Sequence, residues 1–153
     1  MAKLGFLGLG LMGAVARAAR DGGASVTGIL PEFLRHLEPP LESGETVIIA
    51  ASMFDRKERM LAMSDAFLVL PGGIGTLDEF FEVIVAKQLA QVHKPLVLLN
   101  LDGYFDPLIA LLDHTASTEF VQPTLEKLFR TAPSPAEAVA LLTRILDSKP
   151  SHG

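Results

Sequence analysis

Pro71-Gly72-Gly73-Ile74-Gly75-Thr76 puts three glycines between an apolar run, Ala66 to Leu70, and a stretch with helical spacing. Glycine lets successive backbone N–H groups turn into one concavity, and the start of a helix adds partial positive charge there. A phosphate is the natural occupant of such a turn. Thr76 is placed to cap the helix and to offer a hydroxyl to the same anion. Two carboxylates follow, Asp78 and Glu79. Both facing a bound phosphate would repel it, so one of them is expected to serve the neutral sugar beside it. A local reading competes: Thr76-Leu77-Asp78-Glu79 has the pattern of a capping box, in which Glu79 bonds back to the Thr76 N–H.

A second segment, Met53-Phe54-Asp55-Arg56-Lys57-Glu58-Arg59, carries adjacent cations. Neighbours on a helix diverge by about 100°, so Arg56 and Lys57 cannot share one buried direction. Taken alone, the segment reads as a solvated charged face. If the strand before it lies beside the strand before the glycines, Arg56 reaches the same sheet edge as the cradle.

A third turn, Gly8-Leu9-Gly10-Leu11-Met12-Gly13, matches G-x-G-x-x-G after a strand-like run. A dinucleotide site also needs an acid about 20 residues further on for the ribose hydroxyls. Only Glu32 is available, directly after Pro31. The alternative is glycines that merely permit a tight turn and close helix packing. The histidines, His36, His93, His114 and His152, have no ligand spacing, so no metal site is expected. There is no G-x-S-x-G elbow.

The elements that must position these residues follow from the apolar pattern. Strands are expected at Leu4 to Leu9, Ala24 to Leu30, Glu45 to Ala50, Ala66 to Leu70 and Pro95 to Leu101, with a short one around Lys127 to Thr131. Helices are expected at Leu11 to Arg20, Phe54 to Met63, Thr76 to Gln91, Pro107 to His114 and Pro135 to Leu146, the last capped by Ser134. Residues 31–44 read as a loop. Continuous apolar strands alternating with helices predict a doubly wound α/β fold, a Rossmann-like parallel sheet in a three-layer αβα arrangement. Ligands in such sheets sit at the carboxyl ends of strands.

Composition narrows the function classes. With 153 residues, 49% of them hydrophobic, the chain reads as one domain over 1–153 with a real core. The net charge of −5 argues against a generally basic nucleic-acid surface. The absence of cysteine removes disulfides, thiolate nucleophiles and sulfur-ligated zinc, and fits a reducing, cytoplasmic setting. No apolar run reaches the about 20 residues of a membrane helix. Lys3, the stretch Leu4 to Gly13 and Ala14-Val15-Ala16 imitate a signal peptide. The single charge before them and their strand–turn–helix pattern argue the other way.

Together these segments resemble the LONELY GUY family of cytokinin-activating phosphoribohydrolases, once misassigned as lysine decarboxylases. The family hallmark P-G-G-x-G-T-x-x-E stands complete from Pro71 to Glu79, and its Arg-Lys pair and spaced methionine stand as Arg56, Lys57 and Met60. Gly10 to Ala16 match its G-L-M-G-x-x-A, and Lys94 to Asn100 with Asp102-Gly103-Tyr104 match as well. The resemblance implies hydrolysis of the N-glycosidic bond of a nucleoside 5′-monophosphate, AMP or a cytokinin nucleotide, to free base and ribose 5-phosphate. It implies Arg56 and Glu79 as the catalytic pair. It implies Glu38, Lys57, Gly72, Gly73, Ile74, Gly75, Thr76 and Asp78 as substrate contacts. It further implies a homodimer and no cofactor. Three features differ from the family pattern. A further strand–helix unit with a C-G-S-S-type turn is missing, so the domain is expected to be shortened at its N-terminus. Phe6 and Leu7 replace two glycines after Gly5, and Val85 and Ala86 replace a threonine and a tryptophan. Two other readings remain: a catalytically degenerate nucleotide binder, and an NAD(P)-binding oxidoreductase fragment resting on Gly8 to Gly13 alone.

Overall fold

A computed structural model describes residues 2–7, 9–36, 46–118 and 127–148. Strands and helices alternate: β1 (Leu4–Leu7), α1 (Leu9–Asp21), β2 (Thr27–Pro31), β3 (Thr46–Ala50), α2 (Met53–Met63), β4 (Ala66–Val69), α3 (Ile74–Gln88), β5 (Leu96–Leu99), α4 (Asp106–Ser117), β6 (Arg130–Ala132) and α5 (Pro135–Asp147). Short 3₁₀ turns occupy Glu32–Leu34 and Leu101–Gly103. Every pairing is parallel.

The side-chain period of two splits the central strands between two cores. Phe67 and Val69 of β4, with Leu96 and Leu98 of β5, face Phe80, Val83 and Ile84 of α3 and Leu112 of α4. Ala66, Leu68, Val97 and Leu99 face the other way, onto Ala138 and Leu142 of α5, with Val15 of α1 packed alongside. Helices therefore cover both faces, and the layering is αβα. This is the expected Rossmann-like class.

Strand order departs from expectation. The main sheet runs β1-β4-β5-β6, and β2-β3 form a separate hydrogen-bonded pair. The third strand is thus not the neighbour of the fourth. β4 and β5 are buried at every residue and take the centre, where helices shield both faces. β2 and β3 keep exposed positions at Thr27, Gly28, Thr46 and Ile49, which suits a peripheral pair.

Element ends move by a few residues. α3 begins at Ile74 rather than Thr76, and β1 stops at Leu7, with α1 beginning at Leu9. Ser134 does cap α5, its Oγ accepting from the Glu137 N–H at 3.3 Å. Gly5 has a packing role: a Cβ there would lie 2.5 Å from the Ser64 hydroxyl and 2.8 Å from the Phe67 ring. Among the described residues, no helix is long and apolar enough to cross a membrane.

Candidate active site

The N-terminus of α2 is set by its cap. Ser52 Oγ accepts from the Asp55 N–H at 3.1 Å, and Asp55 Oδ2 accepts from the Ala51 N–H at 2.7 Å. Arg59 Nε adds a 2.6 Å contact to Asp55 Oδ1, and these bonds hold the Asp55 carboxyl below its usual range, Arg59 contributing most. From this fixed turn Arg56 and Lys57 project toward α3.

They do not form a solvated face. The Arg56 and Lys57 side chains are only 11% and 18% exposed. Arg56 Nη1 lies 2.8 Å from Glu79 Oε1, while Arg56 Nε donates to the Ile29 carbonyl of β2 at 3.2 Å. Lys57 Nζ reaches Asp78 Oδ2 at 2.8 Å and Glu82 Oε2 at 2.6 Å. Helix geometry explains the division. Asp78 and Glu82 stand one turn apart on one face of α3, and Glu79 is rotated from Asp78 by about 100° and from Glu82 by about 60°. The two divergent cations of α2 meet two divergent acidic faces of α3. Lys57 is held above its usual range, first by the Asp78 hydrogen bond and then by Glu82.

Glu79 is not the partner of a capping box. The N-cap of α3 is Gly73, and the Thr76 and Leu77 amides both donate to the Gly73 carbonyl, at 3.0 and 3.2 Å. Thr76 therefore lies inside the first turn, 2% exposed, and does not cap the helix. Glu79, freed from its own backbone, turns to Arg56. Its carboxyl is pushed above the ordinary glutamate range chiefly by burial, with Asp78 adding to the rise. The Arg56 charge opposes that shift most strongly, followed by Lys57.

The glycine turn is open toward solvent. Gly73 and Gly75 are exposed, and Ile74 is 82% exposed. The amides of Ile74 and Gly75 make no bond among the described residues, as first-turn amides do not within a helix. Gly73 has an ordinary extended backbone, φ −87° and ψ −156°, and a Cβ there would meet nothing within 4 Å. Neither conformation nor protein packing demands glycine at this position. By contrast, the cleft at Glu79, lined by Lys57, Met60, Leu61 and Glu82, measures about 10 Å³. That is room for about one water.

Arg56, Lys57, Asp78 and Glu79 thus converge, with Gly75 and Thr76 one turn away on α3 and Gly72 and Gly73 just before that helix. Glu38 lies outside the described residues, as does Gly8 of the first glycine motif. Glu32, the acid required by the dinucleotide alternative, is exposed and pairs with Arg35 at 3.5 Å. Among the described residues, no group of three or more His, Cys, Asp or Glu is placed to hold a metal. Tyr104 was missed as a site residue: its hydroxyl donates to the Gly72 carbonyl at 2.8 Å. The signal available was Asp102-Gly103-Tyr104, a turn directly after the fifth strand and so at the same sheet edge as the glycines.

A parallel sheet in a three-layer αβα arrangement, with an Arg–Glu pair beside a glycine turn, defines the class, and comparison with known proteins defines the family. The family described as "Possible lysine decarboxylase" matches residues 12–142. The chain is 39% identical over 144 residues to a "Probable cytokinin riboside 5'-monophosphate phosphoribohydrolase" of Oryza sativa subsp. japonica, covering 94% of this chain and 58% of that protein. It is 42% identical over 134 residues to a cytokinin riboside 5'-monophosphate phosphoribohydrolase of Arabidopsis thaliana, covering 88% and 62%. The chain belongs to this family, the LONELY GUY family, and spans about 60% of the length of these two relatives. In fold it is similar to the molybdenum cofactor carrier protein of Chlamydomonas reinhardtii, with a TM-score of 0.63 at 21% identity, covering 91% of this chain and 73% of that one.

Proposed function

We propose that the chain hydrolyses the N-glycosidic bond of adenine-type nucleoside 5′-monophosphates, AMP or a cytokinin nucleotide, to free base and ribose 5-phosphate. The observation that carries this reading is the buried Arg56–Glu79 pair one helical turn from open first-turn amides. Gly75 and Glu79 are four residues apart on one face of α3, a rise of about 6 Å. A phosphate on the first turn would therefore bring its ribose toward the carboxylate. Glycosidic cleavage passes through an oxocarbenium-like state. The Glu79 carboxylate would stabilise that charge and accept a proton from the attacking water. The water oxygen bonds to the anomeric carbon as the C–N bond breaks, its electron pair leaving on the base nitrogen, which takes up a proton from solvent, while Glu79 returns the water proton to solvent. Arg56 keeps its proton near neutrality, so its role is to orient Glu79 and donate hydrogen bonds to substrate. Phosphate binding away from the reacting bond supplies the positioning.

A homodimer belongs to the same reading. Phe81 and Val85 of α3 and Leu89 at its C-cap recur every four residues and are 37%, 49% and 62% exposed, an apolar stripe suited to a second copy. A second reading, binding without turnover, draws on the altered first turn, where Phe6 and Leu7 stand in place of two glycines of the family pattern. Incubation with AMP and with isopentenyladenosine monophosphate separates the readings by release of free base. Glu79→Gln is expected to lower that release by about a hundredfold or more. Nucleotide binding by calorimetry with no base from either substrate would replace hydrolysis with the binding-only reading.

A further inference from the structure

We infer that Tyr104 is a positioning residue for the anion turn: its hydroxyl holds the Gly72–Gly73 peptide so that the Gly73 N–H faces the bound phosphate. The inference rests on the phosphate reading of this turn given above. Gly72-Gly73 is the least constrained dipeptide of the loop, since neither residue has a side chain to limit it. A trans peptide is planar, with its C=O and N–H pointing in opposite directions. Fixing the Gly72 carbonyl therefore fixes the Gly73 amide. Tyr104 Oη donates to that carbonyl at 2.8 Å.

The turn that presents Tyr104 is built at some cost. Asp102 and Gly103 both have left-handed backbone, φ 50° and 72°. For the non-glycine Asp102 that conformation is unfavourable. The φ of Gly103 is one that L side chains rarely adopt, so glycine suits that position, and a Cβ there would also crowd the Asp106 carboxylate, at 2.6 Å from its Oδ2. Asn100 ties the turn together: its Nδ2 donates to Asp106 Oδ1 and its Oδ1 accepts from the Phe105 N–H, both at 2.7 Å. Phe105 is buried in the core, and the Tyr104 ring stands edge-on to it at 4.9 Å. Tyr104 itself is 53% exposed. The turn thus holds a half-exposed phenol against one glycine carbonyl at the mouth of the site, where its burial contributes little to the core.

The test uses the full chain, with Tyr104→Phe removing only the hydroxyl. Calorimetry with AMP, inorganic phosphate and adenosine, together with thermal melting, separates the outcomes. The variant is expected to melt as wild type does and to bind AMP and phosphate about five- to tenfold more weakly, the effect of one lost hydrogen bond. Adenosine affinity should be unchanged, and KM for AMP should rise with kcat held. Wild type that binds AMP, beside a variant that binds it equally well or loses adenosine in parallel, overturns the positioning role alone. Wild type that binds neither AMP nor phosphate overturns the phosphate reading and the inference with it.

Discussion

Glu79 carries two opposed influences, and their balance sets the pH behaviour of the site. Burial raises its carboxyl above the ordinary value of 4.5, and the Arg56 charge limits that rise. A carboxylate that stabilises positive charge must be ionised, so kcat/KM is expected to climb as pH rises through the elevated Glu79 value. For stability the sign is the reverse. The folded chain takes up this proton more readily than the unfolded chain, so the Glu79 contribution weakens folding as pH rises from 4.5 through the raised value. Arg56→Ala removes the partner while leaving the acid buried. The expected result is an activity profile displaced to still higher pH and a loss of about 3–5 kcal/mol in urea unfolding at neutral pH. An unmoved profile would mean that Arg56 and Glu79 do not act as a pair.

At the scale of elements, the first turn of α3 combines two separable properties. Its capping is internal, through the Gly73 carbonyl, and its outer amides are left open. Gly73 is the position where stability and ligand binding part company. Its backbone suits any residue and the space over it is empty of protein. Gly73→Ala is therefore expected to change stability by less than about 1 kcal/mol, the gain from a stiffer unfolded chain being offset by the poorer fit of alanine to an N-cap. The same methyl would stand over the amides proposed for phosphate and weaken AMP binding. Melting curves and AMP titrations on the one variant check both halves. Much of this element was legible beforehand. Three glycines between an apolar strand and a periodic helix mark a turn by composition alone. The exact start of the helix was not, because Thr76 is a common cap residue by type, and only the register of the first bonds shows Gly73 in that role.

At the scale of the whole molecule, the site is held by the core on the α3 side of the sheet. Phe80, fully buried and next to Glu79 in sequence, meets Phe129 edge-on at 5.5 Å and Phe81 at 5.6 Å. The packing of Phe80 against Phe129 and the side chains of β4 and β5 fixes the rotation of α3 about its axis, and so the direction in which Glu79 points. Phe80→Ala is expected to cost about 3–5 kcal/mol by chemical denaturation, as large-to-small core changes do. The β2-β3 pair depends on different links. It is joined to the site through the Arg56 hydrogen bond to the Ile29 carbonyl rather than through a continuous sheet.

Arg56 and Glu79 stood out only through the family resemblance, since their local patterns read as a solvated face and a capping box; the amino-acid sequence by itself determined the alternation of strands and helices and the open turn at Gly72 to Gly75. Those features are local: they rest on apolar period, glycine content and residue type within a few positions. Tertiary structure alone decided that β3 pairs with β2 and not β4, and that Glu79 faces Arg56 instead of its own helix end. It also decided that Lys57 and Asp78 neutralise one another, and that Tyr104 reaches Gly72 from 32 residues away. Strand neighbours and buried ion pairs depend on which distant surfaces pack together, and that selection minimises exposed apolar area and unpaired charge over the whole chain at once.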